Sequence, residues 1–317
     1  MKFIKITAVN IILLIICIFI CDLCIYKSFA QQRSKDYILP PFAYQIHPYC
    51  SFIPDYYFDG SDNIYKGRKP DGLKYLAEGK TPIVIFGGSF AHGQHLNADE
   101  TFSARLSELL HRPVFNRAAP GRGIQHMLYQ AEHTQLYSDI KTADTVIYIF
   151  INDHYRRMKV SHIDILDTNF AGSYKIKNKR LVLQNYKNPL KNLIKSSYTV
   201  KLLNQKAVKH YIDNENNAGK LTDETMLYFI QTRNILEQHW NRKIDFIVLF
   251  YDSVMYEELL TDKLWENGFR AYSINEDAAP DVNLNAEEYR ISKDNLHPNA
   301  AAWREITPLT AEKLGLK

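Results

Sequence analysis

Five short stretches of the chain are apolar without alternation: IVIF at 83–86, PVFN at 113–116, TVIYIFI at 145–151, IDFIVLFY at 244–251 and FRAYSI at 269–274. A strand reads this way when both of its faces are buried, as in a parallel sheet covered by helices. Between these runs the apolar spacing becomes helical. Phe102, Leu106, Leu109 and Leu110 share one face over about 100–111, a second helix starts near Ile124, an amphipathic one ends near Gly268, and AAAWREI opens a last one behind Asn299, a helix-capping residue. Buried strands alternating with helices predict an α/β fold with about five parallel strands, doubly wound. Between the third and fourth strands lie some ninety residues, more than a single crossover needs. There YKIKNKRLVLQ, 174–184, alternates and turns at Asn178 as a hairpin would, and 190–212 and 222–240 read as helices. This insertion, about 155–240, is expected to form a flap or wall beside any site the sheet holds.

The first thirty residues follow another pattern. After MKFIK, the run ITAVNIILLIICIFI is interrupted only by Thr7 and Asn10, and continued to Tyr26 it reaches the roughly twenty residues that span a bilayer. Residues 1–30 are therefore expected to be a signal-anchor or signal peptide: an uncleaved membrane-anchor helix, or an export signal cleaved after Ala30 in Ser28-Phe29-Ala30. Lys2 and Lys5 before the apolar run place the short end in the cytoplasm and the remainder outside it, which is the periplasm in a Gram-negative cell. Residues 31–80, rich in Pro, Tyr, Gly and Asp, read as an irregular lead-in, and 81–317 as the folded domain. Cys17, Cys21 and Cys24 fall in the apolar segment and Cys50 alone lies beyond it, so the soluble part is expected to hold no intrachain disulfide. The formal charge of +4 reads as spread along the chain, without the basic runs and interleaved aromatics of a nucleic-acid groove, and nucleic acid is set aside as a partner. The 21 tyrosines suit stacking on sugars as well as ordinary core and rim.

The chemistry gathers at the ends of the predicted strands. IVIFGGSFAHG presents Ser89 where the first strand turns sharply into a helix. In DNLHPNAAAW, Asp294 lies three residues before His297 on a loop. A carboxylate there can fix the imidazole tautomer and leave the other ring nitrogen to a nucleophile. FNRAAPGRG follows the second strand and carries Gly121 in a tight turn, able to bring a backbone N–H to a substrate oxygen. FINDHYR ends the third strand and carries Asn152, whose amide can donate a second hydrogen bond, while Asp153 is expected to support the loop. His92 and His95 form an H-x-x-H, but no compact set of further ligands accompanies them, and neither a catalytic metal nor a cofactor is expected. His126, His133 and His154 read as solvated or packing residues.

In this order the residues resemble the SGNH hydrolases, or GDSL family, over about 80–153 and 285–303. Ser89 matches the nucleophile block, Gly121 the glycine block, Asn152 the asparagine block, and Asp294 with His297 the final block. The resemblance implies a three-layer α/β/α, flavodoxin-like fold and metal-free hydrolysis or transfer of acyl esters. It also implies a catalytic triad of Ser89, His297 and Asp294, and an oxyanion hole from Ser89, Gly121 and Asn152. Gly88 stands where the family has an aspartate, Phe150 where it has a glycine, and Gly123 is an alternative to Gly121 as donor. The expected function is a serine esterase removing O-acyl groups, O-acetyl foremost, from an extracytoplasmic polysaccharide or glycan. The alternatives are an O-acyltransferase using the same acyl-enzyme and a glycan-binding or assembly protein with a degenerate site.

Overall fold

The computed structural model describes residues 71–132, 140, 142–159, 174–183, 198–251, 253–293 and 295–316, with residues 16, 17, 20, 21 and 24 of the N-terminal segment. The expected lead-in before Asp71, Cys50, His133 and Asp294 lie outside the described residues. Among the described residues no helix is long and apolar enough to cross a membrane.

All five expected strands form: β1 (Ile83–Gly87), β2 (Val114–Asn116), β3 (Thr145–Phe150), β6 (Asp245–Phe250) and β7 (Arg270–Ser273). The hairpin of β4 (Tyr174–Lys177) and β5 (Arg180–Leu183) lies between β3 and β6 in the chain. The five pair in parallel in the order β2-β1-β3-β6-β7. The connection after β1 leads to one side of it and the connection after β2 returns to the other. The strand order therefore reverses between β1 and β3, where open α/β sheets hold their ligands.

Successive side chains of each strand enter opposite cores, which is why the runs show no polar alternation. Val84 and Phe86, with Val146, Tyr148 and Phe150 of β3 and Phe246, Val248 and Phe250 of β6, fill one core. Ile83 and Ile85, with Ile147, Ile149, Ile247 and Leu249, fill the other. Among the described residues from Asp71 onward the α-helices are α1 (Leu73–Ala77), α2 (Ser89–His92), α3 (Phe102–Leu110), α4 (Ile124–Glu132), α5 (Asp153–Lys159), α6 (Tyr198–Asp213), α7 (Ala218–Trp240), α8 (Glu257–Glu266) and α9 (Ala300–Lys313). Residues of α4, α5, α7 and α8 close the first core, and residues of α2, α3 and α9 the second. This is the three-layer α/β/α arrangement expected.

Two details depart from the pattern. In α3 the buried stripe is rotated from the leucines: Ser103 and Ser107 are buried with Phe102 and Leu106, while Leu109 is 47% exposed. The small hydroxyls are drawn inward by bonds: Ser107 Oγ donates to the Arg112 carbonyl at 2.6 Å, and Ser103 Oγ accepts from Asn116 Nδ2 at 3.1 Å. Helix α7 lies in the helical layer of the sheet, with Leu221, Phe229 and Leu236 in the first core, and the hairpin lies against it. The hairpin turns at Asn178 and Lys179, both at positive φ (52° and 59°), the geometry of a two-residue type I′ connection. Tyr174, Ile176, Leu181 and Leu183 share its apolar face, and Tyr174 and Leu181 are buried. Tyr174 Oη donates to Glu132 of α4 at 2.6 Å, and the Gln231 amide pairs with both the N–H and the carbonyl of Leu181, each at 3.0 Å. The hairpin therefore covers the flank of α7, because its apolar face needs cover and α7 supplies it.

Phe229 ties α7 to the sheet, its ring 5.4 Å from Tyr148, 5.9 Å from Phe246 and 6.0 Å from Phe269 between centroids. Phe229→Ala is expected to lower the unfolding free energy by about 3–5 kcal/mol, through lost transfer energy and a cavity with rigid aromatic walls. Urea denaturation measures this, and a loss below about 1 kcal/mol would show that the layer re-closes.

Candidate active site

The strand β1 runs directly into α2, and two glycines make the turn. At Gly87, where φ is 149°, a Cβ would stand 2.7 Å from Ala91 Cβ and 3.0 Å from the Ile149 carbonyl. At Gly88 a Cβ would stand 2.8 Å from Arg157 Nη1 and 3.0 Å from both the Arg122 carbonyl and His154 Nε2. The position that the family pattern gives to aspartate is thus occupied from outside by Arg157 and His154. Ser89 follows, 5% exposed, at the first position of α2.

His297 reaches Ser89 across 208 residues of sequence, with Nε2 2.7 Å from Ser89 Oγ. It sits in β9 (Asn295–Pro298), which pairs with β8 (Arg290–Ser292) in a short antiparallel ladder just before α9. Asn299 caps α9 as expected, accepting from the Ala302 N–H at 3.1 Å, and its amide also donates to the Arg290 carbonyl at 2.9 Å, which ties the ladder to the helix. The other ring nitrogen of His297, Nδ1, lies 2.6 Å from Asn295 Oδ1, which also accepts the His297 backbone N–H at 3.2 Å. The backbone donor marks that atom as the amide oxygen. Nδ1 therefore carries the proton and Nε2 is bare toward the serine hydroxyl. The ring is held on its faces as well: Phe90 lies 4.8 Å from it and His95 meets it edge-on at 5.5 Å between centroids. Burial pushes the His297 pKa down to about 4, and the charges of His95 and Arg157 act in the same direction.

The loop after β2 lies against the same turn. Ala119 N–H bonds to the Gly87 carbonyl at 3.4 Å, and Arg122 N–H to the Ala119 carbonyl at 3.1 Å, closing a turn with Pro120 and Gly121 at its centre. Gly121 has φ 74°, the left-handed conformation that the third residue of a type II turn requires. The Gly123 N–H donates to His126 Nδ1 at 2.9 Å and is thereby used, whereas those of Ser89 and Gly121 meet no acceptor among the described residues. Asn152 projects from the end of β3 into solvent. Its amide donates to the Ser253 carbonyl at 2.8 Å and accepts from Met255 N–H at 2.6 Å, spending one of its two amide hydrogens on the loop after β6.

Beneath these residues Arg157 acts as a clamp. It donates to the Arg122 carbonyl at 2.6 Å, its Nε lies 2.6 Å from Asp153 Oδ2, and its own carbonyl accepts from Gln125 Nε2 at 2.9 Å. Burial disfavours the Asp153 charge, but the Arg156 hydrogen bond and the Arg157 and Arg156 charges outweigh it and bring its pKa down to about 2. Asp153 supports the loop, as expected. Burial, with Arg157 and its neighbours, holds His126 and His154 well below the ordinary histidine range, so both are neutral packing residues. Phe150 fills the core under the site, its ring 5.0 Å from Tyr155 and 5.9 Å from Phe250. Among the described residues no group of three or more His, Cys, Asp or Glu is placed to hold a metal ion. Sequence reading missed Asn295, Phe90 and Arg157. Only Asn295 leaves a local signal, an asparagine two residues before the histidine, able to bond the backbone ahead of it.

The crowding at Gly88 yields a measurable expectation. Gly88→Ala should destabilise the domain by about 1–3 kcal/mol, because Arg157 and the Arg122 carbonyl must retreat from the added methyl. Urea unfolding reads the loss, and a change under about 0.5 kcal/mol would mean that the clamp yields freely.

No family model matches this sequence, and no curated protein is significantly similar to it. Among solved structures the chain is similar to one described as a lipolytic protein of the G-D-S-L family from Desulfitobacterium hafniense, at 13% identity and a TM-score of 0.41, over 74% of this chain and 99% of that one. It is similar to an acetyl xylan esterase from Butyrivibrio proteoclasticus at 11% identity and a TM-score of 0.41, over 74% of this chain and 64% of that one. It is also similar to a salicylyl-acyltransferase from a tetracycline biosynthetic pathway at 12% identity and a TM-score of 0.39, over 74% and 55% of the two chains. At such identities the chemistry of this chain rests on its own side chains.

Proposed function

We propose that this chain is an SGNH-type serine hydrolase that removes O-acyl groups, acetyl in the simplest case, from an extracytoplasmic polysaccharide or glycan. The observation that carries the reading is the 2.7 Å contact between Ser89 Oγ and His297 Nε2, with the opposite ring nitrogen already committed to Asn295. A hydroxyl is a weak nucleophile until a base takes its proton, and this tautomer presents its bare nitrogen to that proton. His297 accepts the proton as Ser89 Oγ attacks the ester carbonyl, and returns it to the departing sugar oxygen. Water then enters by the same route, releasing the acid and restoring the serine. Asn295 holds the ring in orientation, and the resemblance assigns the triad carboxylate to Asp294, next in the chain. The free N–H groups of Ser89 and Gly121 and the remaining amide hydrogen of Asn152 receive the oxyanion. The apolar N-terminal segment supports an exported site, and with the family resemblance it supports a glycan substrate.

Acyl transfer is the second reading. It is favoured by the 5% exposure of Ser89, which shields an acyl-enzyme from bulk water while an acceptor hydroxyl binds. With an acetylated donor and a glycan acceptor present together, free acid as the product supports hydrolysis, and acylated acceptor outpacing free acid supports transfer.

Ser89→Ala is expected to lower turnover of a short-chain aryl ester by about four to six orders of magnitude with the fold intact by circular dichroism. Turnover within tenfold of the parent would sink the serine mechanism. The pH profile provides an independent check. The base must be neutral to act, and its pKa near 4 keeps it so through the neutral range. The kcat/KM profile should therefore stay flat on lowering the pH through 6.5 and fall only toward about pH 4. An acid limb centred near 6.5 would mean that the free enzyme's base lies in an ordinary solvated environment.

A further inference from the structure

The basic residues are not spread along the chain as the overall composition suggests. Residues 168–212 contain ten Lys and Arg and no Asp or Glu, which leaves 29 basic and 35 acidic residues elsewhere and a formally negative remainder. This stretch contains the β4–β5 hairpin and nearly all of α6. Cross-strand pairing puts Lys175 opposite Val182 and Lys177 opposite Arg180, all on the face turned away from α7, with Lys179 at the tip. Lys175, Lys177, Lys179 and Arg180 are all exposed, and none has a carboxylate partner among the described residues.

Folding alone gives no reason for this arrangement. Like charges directly opposite on a hairpin destabilise it, and Lys179 occupies a left-handed position that glycine fills without strain. A polyanion lying along the ribbon would turn the repulsion into attraction and give the lysine at the strained tip position a use. The helix that follows the ribbon in the chain is linked to the site. Helix α6 packs against α5, which starts directly after Asn152. The last turn of α6 is tied down by Tyr256 Oη donating to the Ile212 carbonyl at 2.7 Å, one residue beyond the Met255 N–H that holds the Asn152 side chain.

Resting on the esterase reading above, we propose that the β4–β5 ribbon and α6 form a binding surface for an acidic polysaccharide, and that the acylated substrate polymer is a polyanion bearing repeated carboxylates. The hairpin tip, Lys177 to Arg180, is wholly polar, so it is not shaped to enter a lipid layer. The aromatic residue of the ribbon, Tyr174, is buried, so the ribbon itself offers no platform for stacking nucleic-acid bases.

The test uses the full chain, its Lys175→Gln/Lys177→Gln/Lys179→Gln/Arg180→Gln variant, and a matched variant in which the three lysines become arginine. Affinity electrophoresis through polygalacturonate, an assay independent of turnover, should retard the parent and the arginine variant. It should release the glutamine variant, with affinity reduced about tenfold or more and the parent's binding weakening as salt rises. On acetylated polygalacturonate the glutamine variant should show a raised KM and an unchanged kcat, and on a short aryl ester neither value should move. Thermal melting checks that the variant is folded, and removal of the repulsion should leave its midpoint equal or higher. Equal retardation of parent and glutamine variant overturns the proposal. So does parent binding to phosphatidylglycerol vesicles or to duplex DNA without binding to polygalacturonate. Polymer binding with no turnover of the aryl ester would overturn the esterase reading and leave the surface standing.

Discussion

The closeness of backbone to backbone at the end of β1 is the constraint on which the rest of the site depends. Strand β1 lies between β2 and β3, and its last residues turn within 3.0 Å of where the Ile149 carbonyl would meet any side chain at position 87. Only glycine permits that approach, and because the approach is so close, Ser89 emerges where loops from both neighbouring strands can reach it. Arg157 takes the space left by the second glycine and uses it to hold the Arg122 carbonyl, so the loop that carries Gly121 is fixed by the same cavity that shapes the serine turn. One small volume thus sets the nucleophile and the neighbouring N–H groups together.

The histidine is organised on a different principle. Its position is set by a short ladder and a capped helix, and its electrical state by partial burial and by nearby positive charge. A half-buried imidazole with cationic neighbours resists protonation at rest, so it is ready to act as a base. The same surroundings oppose the imidazolium that must appear during attack. The negative charge growing on the substrate oxygen offsets that opposition only while both charges are present, which favours the tetrahedral state over the separated ion. An amide oxygen on Nδ1 fixes the tautomer without adding a full charge, and in that respect Asn295 differs from a carboxylate.

The sheet was legible because its strands are buried on both faces, and a run such as TVIYIFI has few other stable uses. The hairpin was legible at Asn178, whose positive φ is the conformation asparagine tolerates. Ser89 and His297 could be paired by their order along the chain, since both stand beside elements whose placement the periodicity predicts. What remained hidden depends on distance in space. Nothing near Arg157 in the chain signals that its guanidinium lies beside Gly88, and the exposure of Leu109 follows from bonds that Ser103 and Ser107 make to a neighbouring strand and turn. The concentration of charge in 168–212 is hidden by the overall composition, and its meaning required the register that puts Lys177 and Arg180 on one face.

The Gln231 side chain adds something apart from catalysis. A two-stranded ribbon has two open edges, and the donors and acceptors along such edges invite strands from other molecules. By giving its amide N–H to the Leu181 carbonyl and its oxygen to the Leu181 N–H, Gln231 imitates a neighbouring strand for one residue and then ends, because it is carried on a helix. A strand arriving along β5 finds that rung already taken and cannot extend its ladder past it. The protein can therefore keep an exposed, strongly charged ribbon on its surface without that ribbon becoming a seed for self-association.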